Sequence, residues 1–153
     1  MINKSFLWLF TFFVTIVSVQ AHAQTVIVDQ PLYFGRWVIP DFNSRARVTI
    51  RNNGSYTTNT NIYLLDTPTR GEYTLTGAPP NTSYSITTPP IVYLSGPGGD
   101  FEFDNIRVRP NSLVTNGIGE DQFRITGRLR SLGGGVSHGD GNYNDSFTII
   151  FNF

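Results

Sequence analysis

The pattern that most limits what this chain can fold into is a period of two. Over residues 44–51, Ala46, Val48 and Ile50 share one parity, and Arg45, Arg47, Thr49 and Arg51 share the other. Successive side chains of a strand point to opposite faces, so this stretch reads as a half-buried antiparallel strand. The ending follows the same rule. Phe147, Ile149, Phe151 and Phe153 alternate with Thr148, Ile150 and Asn152, which predicts a core strand with one apolar and one mixed face. Nowhere do apolar residues recur at i, i+3, i+4 and i+7 for three turns, so a helix would have no apolar stripe to bury.

Shorter β-prone runs fill the interval, at 25–28, 32–38, 61–65, 71–77, 83–87, 91–94 and 123–129. Tyr73 and Leu75 point inward in one of them, Tyr84 and Ile86 in another. Asn52-Asn53-Gly54-Ser55 is a strong turn signal, and Gly35 inside an apolar run predicts a bulge or a close backbone approach. The parity set by Phe101 and Phe103 slips before Ile106 and Val108; one extra residue there predicts a β-bulge. Many short strands with turn signals every 8 to 12 residues or so predict an all-β, immunoglobulin-like sandwich of antiparallel strands. Parity selects Val48, Ile50, Phe123, Ile125, Ile149 and Phe151 as its core.

The first stretch is of another kind. Lys4 precedes an apolar run at 6–19, and Ala21-His22-Ala23 has the small-x-small form of a cleavage site. Residues 1–23 read as a secretory signal peptide, with Gln24 as the first mature residue. The expected organisation is then an N-terminal extension at 24–31 and a β-sandwich domain at 32–153. Lys4 is the one lysine among eleven Lys and Arg, so ten arginines face eleven acids in the rest. That balance argues against nucleic acid and against an anionic membrane surface as partners. No stretch after the leader is apolar enough to span a membrane as a helix. With no Cys, stability must come from packing or assembly.

Residues that carry catalytic chemistry are sparse. His138 is the one His after the leader, and Ser137, His138 and Asp140 are too close in sequence to form a nucleophile–base–orienter triad; a solvated loop is expected. Glu120 and Asp121 point apart if extended. Asp140, Asn142 and Asn144 have the first spacings of a calcium loop, but its bidentate twelfth position is Phe151. Asp100, Glu102 and Asp104 share one parity and read as a solvated strand face with at most weak cation affinity. Three glycosylation-like triplets, beginning at Asn53, Asn81 and Asn144, read as turns. Trp37, Tyr56, Tyr63 and Tyr93 could stack on sugars, although burial in the core is the expectation for each. No catalytic, metal or cofactor site is expected.

Three motifs carry a resemblance. They are Leu32-Tyr33-Phe34-Gly35, the stretch from Tyr73-Thr74-Leu75-Thr76-Gly77 through Ser83-Tyr84-Ser85-Ile86, and the ending Gly141-Asn142-Tyr143 followed by the alternating strand that finishes on Phe153. In this order they resemble bacterial secreted pilin-like β-domains, of the kind found in chaperone–usher fimbrial subunits and spore-coat-like proteins. The resemblance implies a sandwich that lacks a strand and is completed by a neighbour's N-terminal extension. Val26, Ile27 and Val28 would be the donor strand, and Phe147, Ile149, Phe151 and Phe153 would line the acceptor groove; alternatively the N-terminal segment pairs within its own sheet and makes a complete monomer. It also implies passage through the periplasm to a surface fimbria, with copies of the chain as partners and a periplasmic chaperone and outer-membrane usher as assembly factors. A monomeric carbohydrate- or host-binding module is the alternative, and a hydrolase a distant third.

Overall fold

The computed structural model describes residues 23–153, so the expected signal peptide, apart from Ala23, lies outside the described residues. Among those residues the fold is all β, with no helix. The strands are β1 (Thr25–Gln30), β2 (Trp37–Val38), β3 (Arg47–Ile50), β4 (Tyr56–Thr58), β5 (Tyr63–Leu64) and β6 (Gly71–Thr76). They continue with β7 (Ser83–Thr87), β8 (Ile91–Leu94), β9 (Phe101–Arg109), β10 (Leu113–Val114), β11 (Asp121–Ser131) and β12 (Ile150–Asn152).

The long strand β11 organises the main sheet. Along one edge it pairs with β9, which pairs in turn with β8. Its other edge is divided end to end: Asp121–Ile125 pairs with β6, and Gly127–Arg130 pairs with β3. Edge strand β1 is added to β6, and β4 to β3. All pairings are antiparallel, and the sheet curls into a half-barrel. A small sheet in the order β10-β7-β12 and the pair β2-β5 complete a sandwich-like arrangement.

The period-two reading places this core well. Ala46 and Val48 are fully buried, Ile50, Phe123 and Ile125 nearly so, and Arg45, Arg47 and Arg51 point to solvent. Val48, Ile50, Phe123 and Ile125 each contribute about 1.5–3 kcal/mol by leaving water. The turn at 52–55 closes the β3–β4 hairpin, with Arg51 N–H donating to Ser55 O and Ser55 N–H to Asn53 Oδ1. The expected bulge is present on β9. Thr126 pairs with Arg107 but Arg128 pairs with Asp104, which leaves one residue extra on β9, and Asn105 there takes φ 50°. Opposite it, the Phe103 ring lies where a side chain on Gly127 would be, 2.5 Å from the Cβ position. Gly35 is the expected close approach: at φ 84° it brings the backbone onto Asp66 O, 2.6 Å from where a Cβ would stand.

The ending departs from expectation. Its parity is right, with Phe147, Ile149 and Phe151 turned inward, but Ile149 and Phe151 are half-buried rather than core. Regular pairing begins only at Ile150, on the edge of the small sheet. The register explains why. Ile150 pairs with Thr87, so residues 147 and 148 would meet Pro90 and Pro89, which have no N–H to donate.

Candidate functional site

A cleft of about 830 Å³ lies between the segments 32–39 and 138–145. Core side chains form part of its lining: Phe34, Leu94, Phe101 and Leu129. Trp37 and Tyr143 stand on the two sides, and Asp140 and Asp145 lie on the later segment. Each wall is tied by its backbone away from the opening. On one side Tyr33 exchanges hydrogen bonds with Thr69, Leu65 N–H donates to Arg36 O, and β2 pairs with β5. On the other, Gly139 N–H donates to Pro97 O and Asn144 bridges to Ser95. Among the described residues no hydrogen bond crosses from one wall to the other. The cleft is therefore bounded by two backbone segments, the first with strand at 37–38 and the second with a bend at 140–141, and opens onto the core.

His138 belongs to this cleft, and the expectation of a solvated loop is corrected. It is 8% exposed, and its ring stacks on Phe101 with centroids 4.1 Å apart and planes 17° from parallel. Glycines allow this. A Cβ on Gly99 would stand 2.2 Å from Val136, so only glycine lets the 136–138 loop close over residues 97–99. His138 Nδ1 is 2.6 Å from Gly99 O; a carbonyl only accepts, so Nδ1 carries the proton. Nε2 is buried and has no hydrogen-bond partner among the described residues. The Tyr143 hydroxyl donates toward Pro97 O and Gly139 O, and burial raises its pKa above the ordinary tyrosine value.

The candidate donor residues lie on β1. In the single chain they pair with β6, Val26 with Leu75, Ile27 with Thr74 and Val28 with Tyr73. Val26 packs on the core cluster around Leu75 and Phe123, whereas Ile27 is 49% and Val28 58% exposed. Thr74 Oγ1 donates to Asp29, and Gln30 Nε2 to Arg70 O. Among the described residues the outer edge of β1 has no strand partner. Of the candidate acceptor residues, Phe147, Ile149 and Phe151 pack on the same cluster as Val26, and Phe153 is exposed and stacked on Tyr84. The open cleft lies upstream of them.

Two further expectations change. Glu102 and Asp104 are not solvated: each is buried and held bidentately, Asp104 by Arg128 at 2.7 Å and Glu102 by Arg130 at 2.8 and 3.0 Å. The Arg128 hydrogen bonds hold the Asp104 carboxyl below the usual aspartate range, against the opposing effect of burial. Two guanidinium groups thus cover carboxylates that the sequence reads as a solvated strand face. Tyr56, Tyr63 and Tyr93, expected in the core, are 40%, 63% and 51% exposed; Trp37 is half-buried. Tyr63 and Tyr93 lie on the outward parity of short strands, where an aromatic gives no pattern different from a core residue. Glu120 and Asp121 form no acid–base pair. Asp121 instead accepts from the buried Tyr84 hydroxyl at 3.1 Å, and burial first, then Asp121, pushes that phenol's pKa far up.

A family profile described as a domain of unknown function (DUF4402) matches residues 21–153. The chain belongs to the DUF4402 family. No curated protein and no solved structure matches it. The DUF4402 domain thus takes in β1, both walls of the cleft and the C-terminal strand. Sequence reasoning missed the cleft walls. The signals available were Gly35, which ties the first wall to residue 66, and the glycine-rich run at 133–141 that leads into the second.

Proposed function

We propose that this chain is a structural subunit of a bacterial surface pilus or fimbria that polymerises by β-strand addition. The observation that carries this reading is the cleft: two backbone segments, 32–39 and 138–145, with no hydrogen bond between them among the described residues, and core side chains at its base. A strand laid between them would find main-chain partners on both edges and put alternate side chains against Phe34, Phe101 and Leu129. The occupant we assign is the N-terminal segment 24–30 of a second copy. Its seven residues are close in length to the eight of the 32–39 wall, and it precedes Pro31, beyond which the chain takes another course. In the single chain this segment is an edge strand that gives the core only one half-buried apolar side chain, so its release uncovers little. Export by the leader at 1–23, and a chaperone and usher that hold the cleft until it is filled, belong to the same reading.

The test uses the absence of Cys. The mature chain carrying Val28→Cys in the donor and Asn142→Cys in the cleft wall should, on oxidation, form disulfide-linked ladders that collapse on reduction. Ile27→Cys with Thr74→Cys reports the other destination, a β1 exchanged onto the β6 of a neighbour. Monomers from both pairs at high protein concentration would sink the fibre reading. The monomeric carbohydrate- or host-binding module would then stand in its place, favoured by the exposed Tyr56, Tyr63 and Tyr93.

A further inference from the structure

The formal neutrality of the chain conceals a local excess of positive charge. On the face of the main sheet away from the core, a pocket of about 220 Å³ is lined by Arg45, Arg47, Arg128, Arg130 and Asn59. Arg47 and Arg130 are direct cross-strand partners, so their side chains project from the same face at adjacent sites. Like charges placed opposite each other destabilise a sheet unless something compensates them. Glu102 and Asp104 compensate Arg130 and Arg128, each through Nε and Nη2. Arg47 has no acidic partner among the described residues, and Arg45 Nε donates only to a main-chain carbonyl, Leu132 O. Four guanidinium groups thus meet two carboxylates.

The pocket is also held rigidly. Asn59 accepts from Arg47 N–H at 3.0 Å and donates to Arg45 O at 2.5 Å, which fixes the backbone that carries both arginines. The carboxylates of Glu102 and Asp104 orient the other two planar forks. No aromatic side chain lines the pocket, so it has nothing to stack on a sugar ring or a base. Its chemistry is that of guanidinium N–H donors, of which those of Arg47 are not taken up by a carboxylate among the described residues, and such donors suit a planar or tetrahedral oxyanion.

We infer that this pocket binds an oxyanion group, a sulfate, phosphate or carboxylate carried by a larger acidic molecule. The inference does not depend on strand addition, because the pocket lies on the solvent face of the sheet and the cleft opens onto its core. The experiment titrates the mature chain at low ionic strength with three probes: a sulfated disaccharide, a galacturonate oligomer, and phosphatidylglycerol vesicles. Binding is read by calorimetry for the saccharides and by co-sedimentation for the vesicles. At least one probe should bind, and Arg47→Ala should weaken it by tenfold or more while the near-ultraviolet dichroism stays unchanged. Arg45→Ala provides a second variant should the first fail to fold. Arg36→Ala, which removes an exposed arginine at the cleft, should leave affinity within twofold. The probe that responds identifies the source of the anion as glycan or lipid. Absence of binding to all three, or an equal loss in Arg36→Ala, would overturn the inference.

Discussion

The sheet around β11 and the layer facing it, made of residues 32–39 and 138–153, are built to different standards. In the first, Phe123 and Ile125 are 1% and 2% exposed, and the opposite face is tied down by two bidentate ion pairs. In the second, Ile149 and Phe151 are half-buried, Phe153 is 45% exposed, and the two backbones stand apart across a cleft. One sequence has thus filled one side of its core and left the other partly open. With no Cys to staple it, the open side has only its packing to hold it.

The sharpest way to break this contrast is to place a charge on each side. Ile125→Asp should leave no folded protein, because a carboxylate there has neither water nor partner; Ile149→Asp should fold with a lowered melting temperature. Equal outcomes in circular dichroism melts would erase the distinction. Truncation gives the same comparison in smaller steps. Phe123→Ala should cost about 3–5 kcal/mol in urea denaturation, and Phe151→Ala about half of that, since its ring is only partly withdrawn from water. His138→Ala should cost about 2–3 kcal/mol through the lost stack on Phe101 and the lost bond to Gly99 O, and a change below about 0.5 kcal/mol would return His138 to a solvated loop.

A pH titration sharpens the comparison from the sheet side. The folded state holds Asp104 below its unfolded value of about 3.9, so it binds fewer protons than the unfolded chain in that window. The resulting stability is present above about pH 4–5 and is lost as pH falls through the folded value. Asp104→Asn should cost about 1–3 kcal/mol at neutral pH, discounted for the partly exposed Arg128, and should flatten the acid limb. An unchanged acid limb would show that this pair carries no linkage. The smallest effect belongs to Tyr63→Ala, which should stay within about 0.5 kcal/mol because the ring is largely in water.

What the sequence revealed divides along the same line. Where one face of a strand is buried and the other wet, as at Val48 or Ile125, alternation alone identifies the core, and a slipped parity identifies the bulge at Asn105. Where burial depends on which loop closes over which, alternation is silent. His138 was covered by glycines at positions 98 and 99, far away in sequence, and Glu102 and Asp104 by arginines on the neighbouring strand. The open cleft was illegible for the same reason: it is a property of two segments about a hundred residues apart, and neither has a pattern of its own.

The divided edge of β11 has a consequence for how the chain reaches this state. Strands β1, β3, β4 and β6 all lie before residue 77, and β8 and β9 before residue 110, yet the strand that joins the two groups begins at Asp121. A ribosome therefore delivers both wings of the sheet well before the spine that connects them. Until then each wing exposes an apolar face and an unpaired edge, the features from which aggregation starts. Closure over such sequence separations is slow, because the loop entropy is spent before the contacts repay it. The main sheet cannot close before the last quarter of the chain is in place.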